Sequence, residues 1–259
     1  MVRRLSILCC SSLLAFLPPS TTSARESNEA FELDAKILLT AYAGLVDEHL
    51  LGVLNGLKAL AATQDAKSGD WERLRIPLQQ FGNSLPTQVA VWFAEPNGSY
   101  FTVERGRAAG TLSDRDYFPI LIRGEDVIGS LVISKSTGAR SVIVAAPVVK
   151  DGNVIGALGV SISATALAKR VSASIKLPDD VVFYALDRRG LTALHKETDL
   201  VFQFPSDLGD ESLKSAVRKM LSQPQGTVQY RFRGTRRSVL FTESGSTGWV
   251  FALGFIRAD

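Results

Sequence analysis

The apolar positions of this chain change period as it proceeds. Across residues 26–66, Phe31, Leu38, Leu39, Leu45, Leu50, Leu51, Val53, Leu57 and Leu60 recur at spacings of three and four, with Asp34, Lys36, Asp47, Glu48 and Lys58 between them. That spacing predicts one long amphipathic helix. A shorter helical patch covers 71–81. From residue 88 the period shortens to two: 88–94 and 99–103 read as strands joined by a turn at Glu95-Pro96-Asn97-Gly98. A short helix through Ile122 and a strand at 127–133 follow. Two runs rich in Val, Ile and Ala, from Arg140 to Ser163, then flank Lys150-Asp151-Gly152-Asn153, where Asp-Gly supplies the positive φ of a tight hairpin turn.

The second half repeats this plan in smaller form. A helix is expected at 164–171 and a break at Leu177-Pro178-Asp179-Asp180. Strands follow at 181–186 and 191–195 around the turn Asp187-Arg188-Arg189-Gly190. A helix at 211–221 carries Leu213, Ala216, Val217 and Met220 on one face, and strands at 226–232, 238–241 and 248–253 complete the set, the first two joined at Arg233-Gly234. The fold class is therefore α+β: a long N-terminal helix followed by two modules, each with a central antiparallel sheet. The expected boundaries are 1–24, 25–84, 85–175 and 176–259.

Between the sheet halves of the first module lies Ser113-Asp114-Arg115-Asp116-Tyr117-Phe118. An arginine beside two aromatics suits a small carboxylate, because the guanidinium offers a planar fork of donors and the rings exclude water. The competing reading is an arginine that braces its own loop through Asp114 or Asp116, with Tyr117 and Phe118 as plain core. Lys135, Ser136, Thr137 and Arg140 flank the neighbouring strand and could give a second anion contact, or simply form a solvated edge. This box, the Ser-Thr-Gly at 136–138 and the hairpin with its Pro147, Asp151-Gly152 and Val-Ile-Gly-Ala-Leu-Gly at 154–159 resemble the membrane-distal module of double Cache domains. Gly-Thr-Val-Gln-Tyr at 226–230 and Thr-Gly-Trp at 247–249 resemble the membrane-proximal one.

That resemblance implies PAS-like modules in an extracytoplasmic ligand sensor, with Arg115 and Tyr117 contacting a ligand carboxylate. Amino-acid-binding relatives carry an aspartate for the α-ammonium in the last hairpin strand, where this chain has Ser161. Without that charge a buried ammonium has no counterion. A small mono- or dicarboxylate is expected instead, with Ser161 as a hydrogen-bond donor or satisfied within its own strand. The second module lacks an arginine–aromatic box and is expected to be a spacer. Receptors of the family continue into a membrane helix and an output domain. Here the chain stops at Gly254-Phe-Ile-Arg-Ala-Asp259, so a free module is expected.

Residues 1–24 read as a Sec signal peptide: Arg3 and Arg4, an apolar run from Leu5 to Leu17, and Thr22-Ser23-Ala24 as the cleavage site. The expected product is periplasmic or secreted, with no membrane span after cleavage. Both cysteines, Cys9 and Cys10, lie in that segment, which excludes disulfides and thiol chemistry from the mature chain. Arg3 and Arg4 also account for two of the 29 basic residues against 26 acidic ones, so the mature chain is near neutral and a nucleic-acid face is not expected. His49 and His195 have no ligand-spaced partner, and nucleophile-elbow and phosphate-loop motifs are missing. Neither a metal, a cofactor nor catalysis is expected.

The expected function is an exported sensory module that binds a small organic acid through Arg115, Tyr117, Phe118, Lys135, Arg140 and Ser161. Its partner would be a signalling or transport protein, and the long helix could also pair two copies. The alternatives are a vestigial-pocket interaction module and a solute-binding protein serving a transporter.

Overall fold

The computed structural model describes residues 21–87, 89–135 and 138–257. The apolar run of the expected signal peptide, both cysteines, Ser136 and Thr137 lie outside the described residues. Among the described residues, those before Ala35 and those from Ala35 on belong to separate compact units.

Helix α1 runs Thr21–Ala61. Within the larger unit, Ala35, Leu39, Tyr42, Val46, Leu50, Val53, Leu57 and Ala61 make a continuous buried stripe along it, the three-and-four spacing expected of a core helix. Asp34–Ala61 is long and apolar enough to cross a bilayer, yet that stripe packs into the protein core. The helix ends five residues before the expected 66. Thr63 takes an extended conformation, and its Oγ1 accepts from the Ala66 amide, capping a separate helix α2 (Gln64–Ser68). Asp70 caps α3 (Trp71–Ser84) in the same way.

The first sheet has six strands in the order β3-β2-β1-β6-β5-β4. They are β1 (Val89–Ala94), β2 (Ser99–Thr102), β3 (Gly106–Thr111), β4 (Val127–Ile133), β5 (Arg140–Lys150) and β6 (Asn153–Ser163), with α4 (Phe118–Ile122) between β3 and β4. All neighbours are antiparallel. The β5–β6 turn has positive φ at Asp151 and Gly152, as a two-residue hairpin loop requires. Strand β3 escaped the sequence reading because Gly-Arg-Ala-Ala-Gly-Thr carries little β-propensity; it forms by pairing with β2.

After α5 (Ala164–Ile175) comes a five-stranded antiparallel sheet, β8-β7-β11-β10-β9. Its strands are β7 (Val181–Leu186), β8 (Thr192–His195), β9 (Gln225–Phe232), β10 (Thr235–Glu243) and β11 (Val250–Arg257). A 3-10 turn (Thr198–Leu200), α6 (Pro205–Leu208) and α7 (Glu211–Ser222) connect β8 to β9.

Strand alternation explains the layering, because successive side chains point to opposite faces. In the first sheet Val91, Phe93, Val142, Val144, Leu158 and Val160 pack in one core with the α1 stripe. Trp92, Ala94, Ile143, Ala145 and Ala157 lie on the other face, under the 113–118 box. The second sheet divides alike: Val181, Phe183, Phe251 and Leu253 join the α1 core, while Val182, Tyr184, Val239 and Phe241 face α7. One long helix thus backs two sheets, each leaving its far face for a lid of loops and short helices. The halves are tied by Trp249 Nε1 donating to the Gly129 carbonyl at 3.0 Å and by Arg140 donating to the Val201 carbonyl at 2.7 Å.

Candidate functional site

The box folds as two successive tight turns. The Arg115 amide donates to the Leu112 carbonyl at 3.0 Å and the Phe118 amide to the Arg115 carbonyl at 2.9 Å. Pro119, which gives up no needed N–H there, opens α4. The turns drive Tyr117 and Phe118 into the core and leave Arg115 half-buried at its edge. The guanidinium donates through Nη2 to the Ile133 carbonyl at 2.7 Å. Among the described residues it forms no ion pair with Asp114 or Asp116; Asp114 is held by Lys135 instead. The Lys135 hydrogen bond keeps the Asp114 carboxyl below its ordinary range, so that carboxyl is charged at neutral pH. Lys135 Nζ also donates to the Thr111 carbonyl at 2.7 Å, which stitches β3 to the end of β4.

Beneath the box, on the sheet face away from α1, lies a cavity of about 20 Å³. A water needs about 10–15 Å³ by this measure, so the space suits one or two waters or a very small anion. Arg115, Tyr117, Lys135, Ser161, Trp92 and Thr102 are among its lining residues. The charged groups among them are both cations, Arg115 and Lys135. Burial raises the Tyr117 hydroxyl well above its usual range, although Arg115 pulls it back, so it stays a neutral donor. Trp92 Nε1 donates to Ser161 Oγ at 3.2 Å, closing one wall.

That wall depends on glycine. Trp92 and Gly159 are cross-strand partners, and a Cβ at Gly159 would fall 2.0 Å from the indole Cζ2. The indole can lie flat over β6 only because position 159 has no side chain. Gly156 serves Phe93 alike, with a Cβ-to-ring distance of 2.5 Å.

Arg115, Tyr117 and Val132 also line an open cleft of about 650 Å³ toward the second sheet, bounded there by Asp187, Arg188, Arg189, Thr247 and Trp249. These three side chains therefore partition the small cavity from the cleft. The Arg115–Ile133 hydrogen bond sits in that partition.

Of the residues singled out from sequence, Arg115, Tyr117, Lys135 and Ser161 converge on the cavity. Phe118 does not; it is buried with Leu121 and Val127 in the core above it. Arg140 lies at the start of β5, away from the cavity, and is spent on the Val201 carbonyl. Trp92, Tyr100 and Thr102 were missed as lining residues. Alternation along 88–94 offered a signal for Trp92, whose parity is opposite to that of Val91 and Phe93.

The Cache domain family model matches residues 23–255. No curated protein matches the chain. Among solved structures, an extracellular ligand binding receptor from Desulfohalobium retbaense superposes with a TM-score of 0.70 at 18% identity, over 86% of this chain and 40% of that one. The sensory domain of the Campylobacter jejuni chemoreceptor Tlp3, with isoleucine bound, gives 0.68 at 14% identity over 93% and 98% of the two chains. The ligand-binding domain of the Pseudomonas aeruginosa amino acid chemoreceptor PctB, in complex with L-Arg, gives 0.70 at 15% identity over 90% and 96%. With the two sheets, the backing helix and a family match over most of its length, this chain belongs to the Cache domain family.

Proposed function

We propose that this chain is an exported sensory module that binds a small organic acid under the 113–118 box and passes the resulting shift to a signalling or transport partner. The observation that carries this reading is the charge of the cavity lining, where Arg115 has no ion pair among the described residues and the other cation, Lys135, is already paired with Asp114 outside the lining. The Tlp3 and PctB domains hold amino acids. An α-ammonium in this cavity would meet Ser161 and the unpaired Arg115 guanidinium, an uncompensated buried charge. A carboxylate would meet a guanidinium whose Nη2 alone is engaged among the described residues, together with the neutral Tyr117 phenol. The volume favours the small end of the class, a monocarboxylate of a few heavy atoms. Rotating Arg115 off Ile133 would join the cavity to the cleft and admit a dicarboxylate. That movement at the partition is also the natural signal, because the cleft's far side is built from the second sheet's loops.

Thermal unfolding with acetate, propionate, succinate and amino acids, on this chain and on Arg115→Ala, tests the reading. Ligand at 100 times its dissociation constant should add about 2.7 kcal/mol of stability. A carboxylate that stabilises the native chain but not the variant supports the site. Stabilisation by amino acids alone would overturn the choice of ligand class.

A further inference from the structure

The second sheet repeats the first in one more respect than its topology. Its face away from α1 also carries a cavity, of about 30 Å³, enclosed by α6, α7, β8 and β10. Arg237 enters it from β10. The arginine is only 4% exposed, and its Nε is a buried donor with no hydrogen-bond partner among the described residues. Its guanidinium stacks over the Phe232 ring at 4.8 Å and keeps Glu197 at the limit of ion-pair range, 4.0 Å. Neither contact satisfies Nε. A buried cation with an idle donor is disfavoured unless something completes it.

Other donors face the same space. His195 Nδ1 accepts from the Glu197 amide at 2.8 Å, which puts the proton of a neutral ring on Nε2. Burial, then Arg237, pushes the imidazole pKa down to about 3, so the ring is neutral under ordinary conditions. The ring stacks on Tyr184, whose hydroxyl accepts from that of Tyr230 at 3.2 Å. The opposite wall is apolar: Leu200, Leu213, Val217 and Met220 are buried, and Leu208 of α6, 44% exposed, stands at the rim.

We infer that this cavity is a second ligand site, in which Arg237 Nε and His195 Nε2 bind the carboxylate of a short-chain monocarboxylic acid whose alkyl tail lies against α6 and α7. Donor pairs of this kind recognise a carboxylate and leave an ammonium or a neutral alcohol unmatched. The apolar wall separates an aliphatic acid from an inorganic anion, which would gain nothing from it. By the measure used for the first cavity the space holds about two or three waters, so a tail of about two or three carbons enters only as α6 moves outward at the rim. The site was invisible as a motif because its arginine sits on a strand, not in an aromatic loop box. The signal present in the sequence was parity: Arg237 shares the inward alternation of Val239 and Phe241.

The test is a propionate titration of the full chain, followed on the ring N–H resonances of its two histidines and by calorimetry. The His195 Nε2–H resonance should shift saturably in the wild type and equally in Arg115→Ala, which separates this cavity from the first. Arg237→Met should weaken that binding by about tenfold or more, the loss of one charge-assisted hydrogen bond. Chloride at matched ionic strength should not reproduce the shift. A His195 resonance unmoved by saturating propionate overturns the assignment, and so does one whose shift disappears in Arg115→Ala. Should Arg237→Met fail to fold, the wild-type and Arg115→Ala titrations decide alone.

Discussion

At the scale of single residues, buried polar atoms without partners are the most informative positions. Tyr42 is fully buried on α1, edge-on to Phe183 at 4.8 Å and to Phe251 at 5.1 Å, yet its hydroxyl has no partner among the described residues. Burial lifts that hydroxyl far above its ordinary range. The ring is pure core, and its oxygen is desolvated for nothing in return. Tyr42→Phe should therefore stabilise the chain by about 1 kcal/mol, which urea denaturation will show as a higher midpoint at unchanged slope. A lower midpoint would mean that the hydroxyl has a partner, such as a bound water. Arg237 Nε is the other orphan and carries the opposite expectation, since its side chain lines a cavity. Neither was legible in the sequence. Residue 42 was not among the apolar positions read from the helical period, and the lack of a partner is a fact of three dimensions.

At the scale of elements, alternation and turn chemistry carried most of what could be read. The β5–β6 hairpin was legible because Val-Ile-Ala runs and Asp-Gly point to the same answer, and β7 because Val-Val-Phe-Tyr-Ala-Leu is apolar on both faces, as its complete burial requires. The end of α1 was missed because Ala62 and Thr63 do not break an apolar period; only the cap at Thr63 does. Arg140, expected as a second anion contact, lies instead against the Val201 carbonyl, since neighbourhood along β5 says nothing about which end of the strand lies over the cavity. Gly159 shows an element whose purpose emerges only across strands. Gly159→Ala should cost about 1–3 kcal/mol by forcing the Trp92 indole off β6. The indole should also leave Ser161, shifting tryptophan fluorescence and weakening carboxylate binding. A Gly159→Ala chain with native stability and affinity would mean that the indole has another resting place at no cost.

At the scale of the whole molecule, the two sheets share α1 and touch at few directed points. The Trp249 indole reaches across to the Gly129 carbonyl, at a bulge in β4 where Gly129 has φ +84°. Trp249→Phe keeps the aromatic packing but leaves that carbonyl unpaired, so a loss of about 1–3 kcal/mol is expected in denaturant unfolding. No measurable loss would show that α1 and the Arg140–Val201 hydrogen bond hold the halves together without it.

Acid stability is a property of the same whole, and its dominant group near pH 6 is His195. The folded ring has its pKa lowered to about 3, by burial first and then by Arg237, with Arg233 acting in the same direction and Asp199 against it. The unfolded ring titrates near 6.5. Between these values the unfolded chain binds more protons, so stability rises with pH across the window and is lost as pH falls from 6.5 toward 3. At pH 5 the loss relative to neutral pH comes to about 2 kcal/mol. His49 is also lowered by burial and adds with the same sign. Asp47, raised by burial beneath its Ser244 hydrogen bonds, has the opposite sign. Asp114, Asp210 and Glu211, lowered by their hydrogen bonds, act only at more acid pH. The His195 share is isolated by His195→Gln, whose side-chain oxygen can still accept from the Glu197 amide. Unfolding free energies at pH 7 and pH 5 should differ by about 2 kcal/mol more in the native chain than in the variant. Equal differences in the two chains would mean that His195 charges freely in the folded state, and with it would go the neutral donor on which the second cavity's chemistry depends.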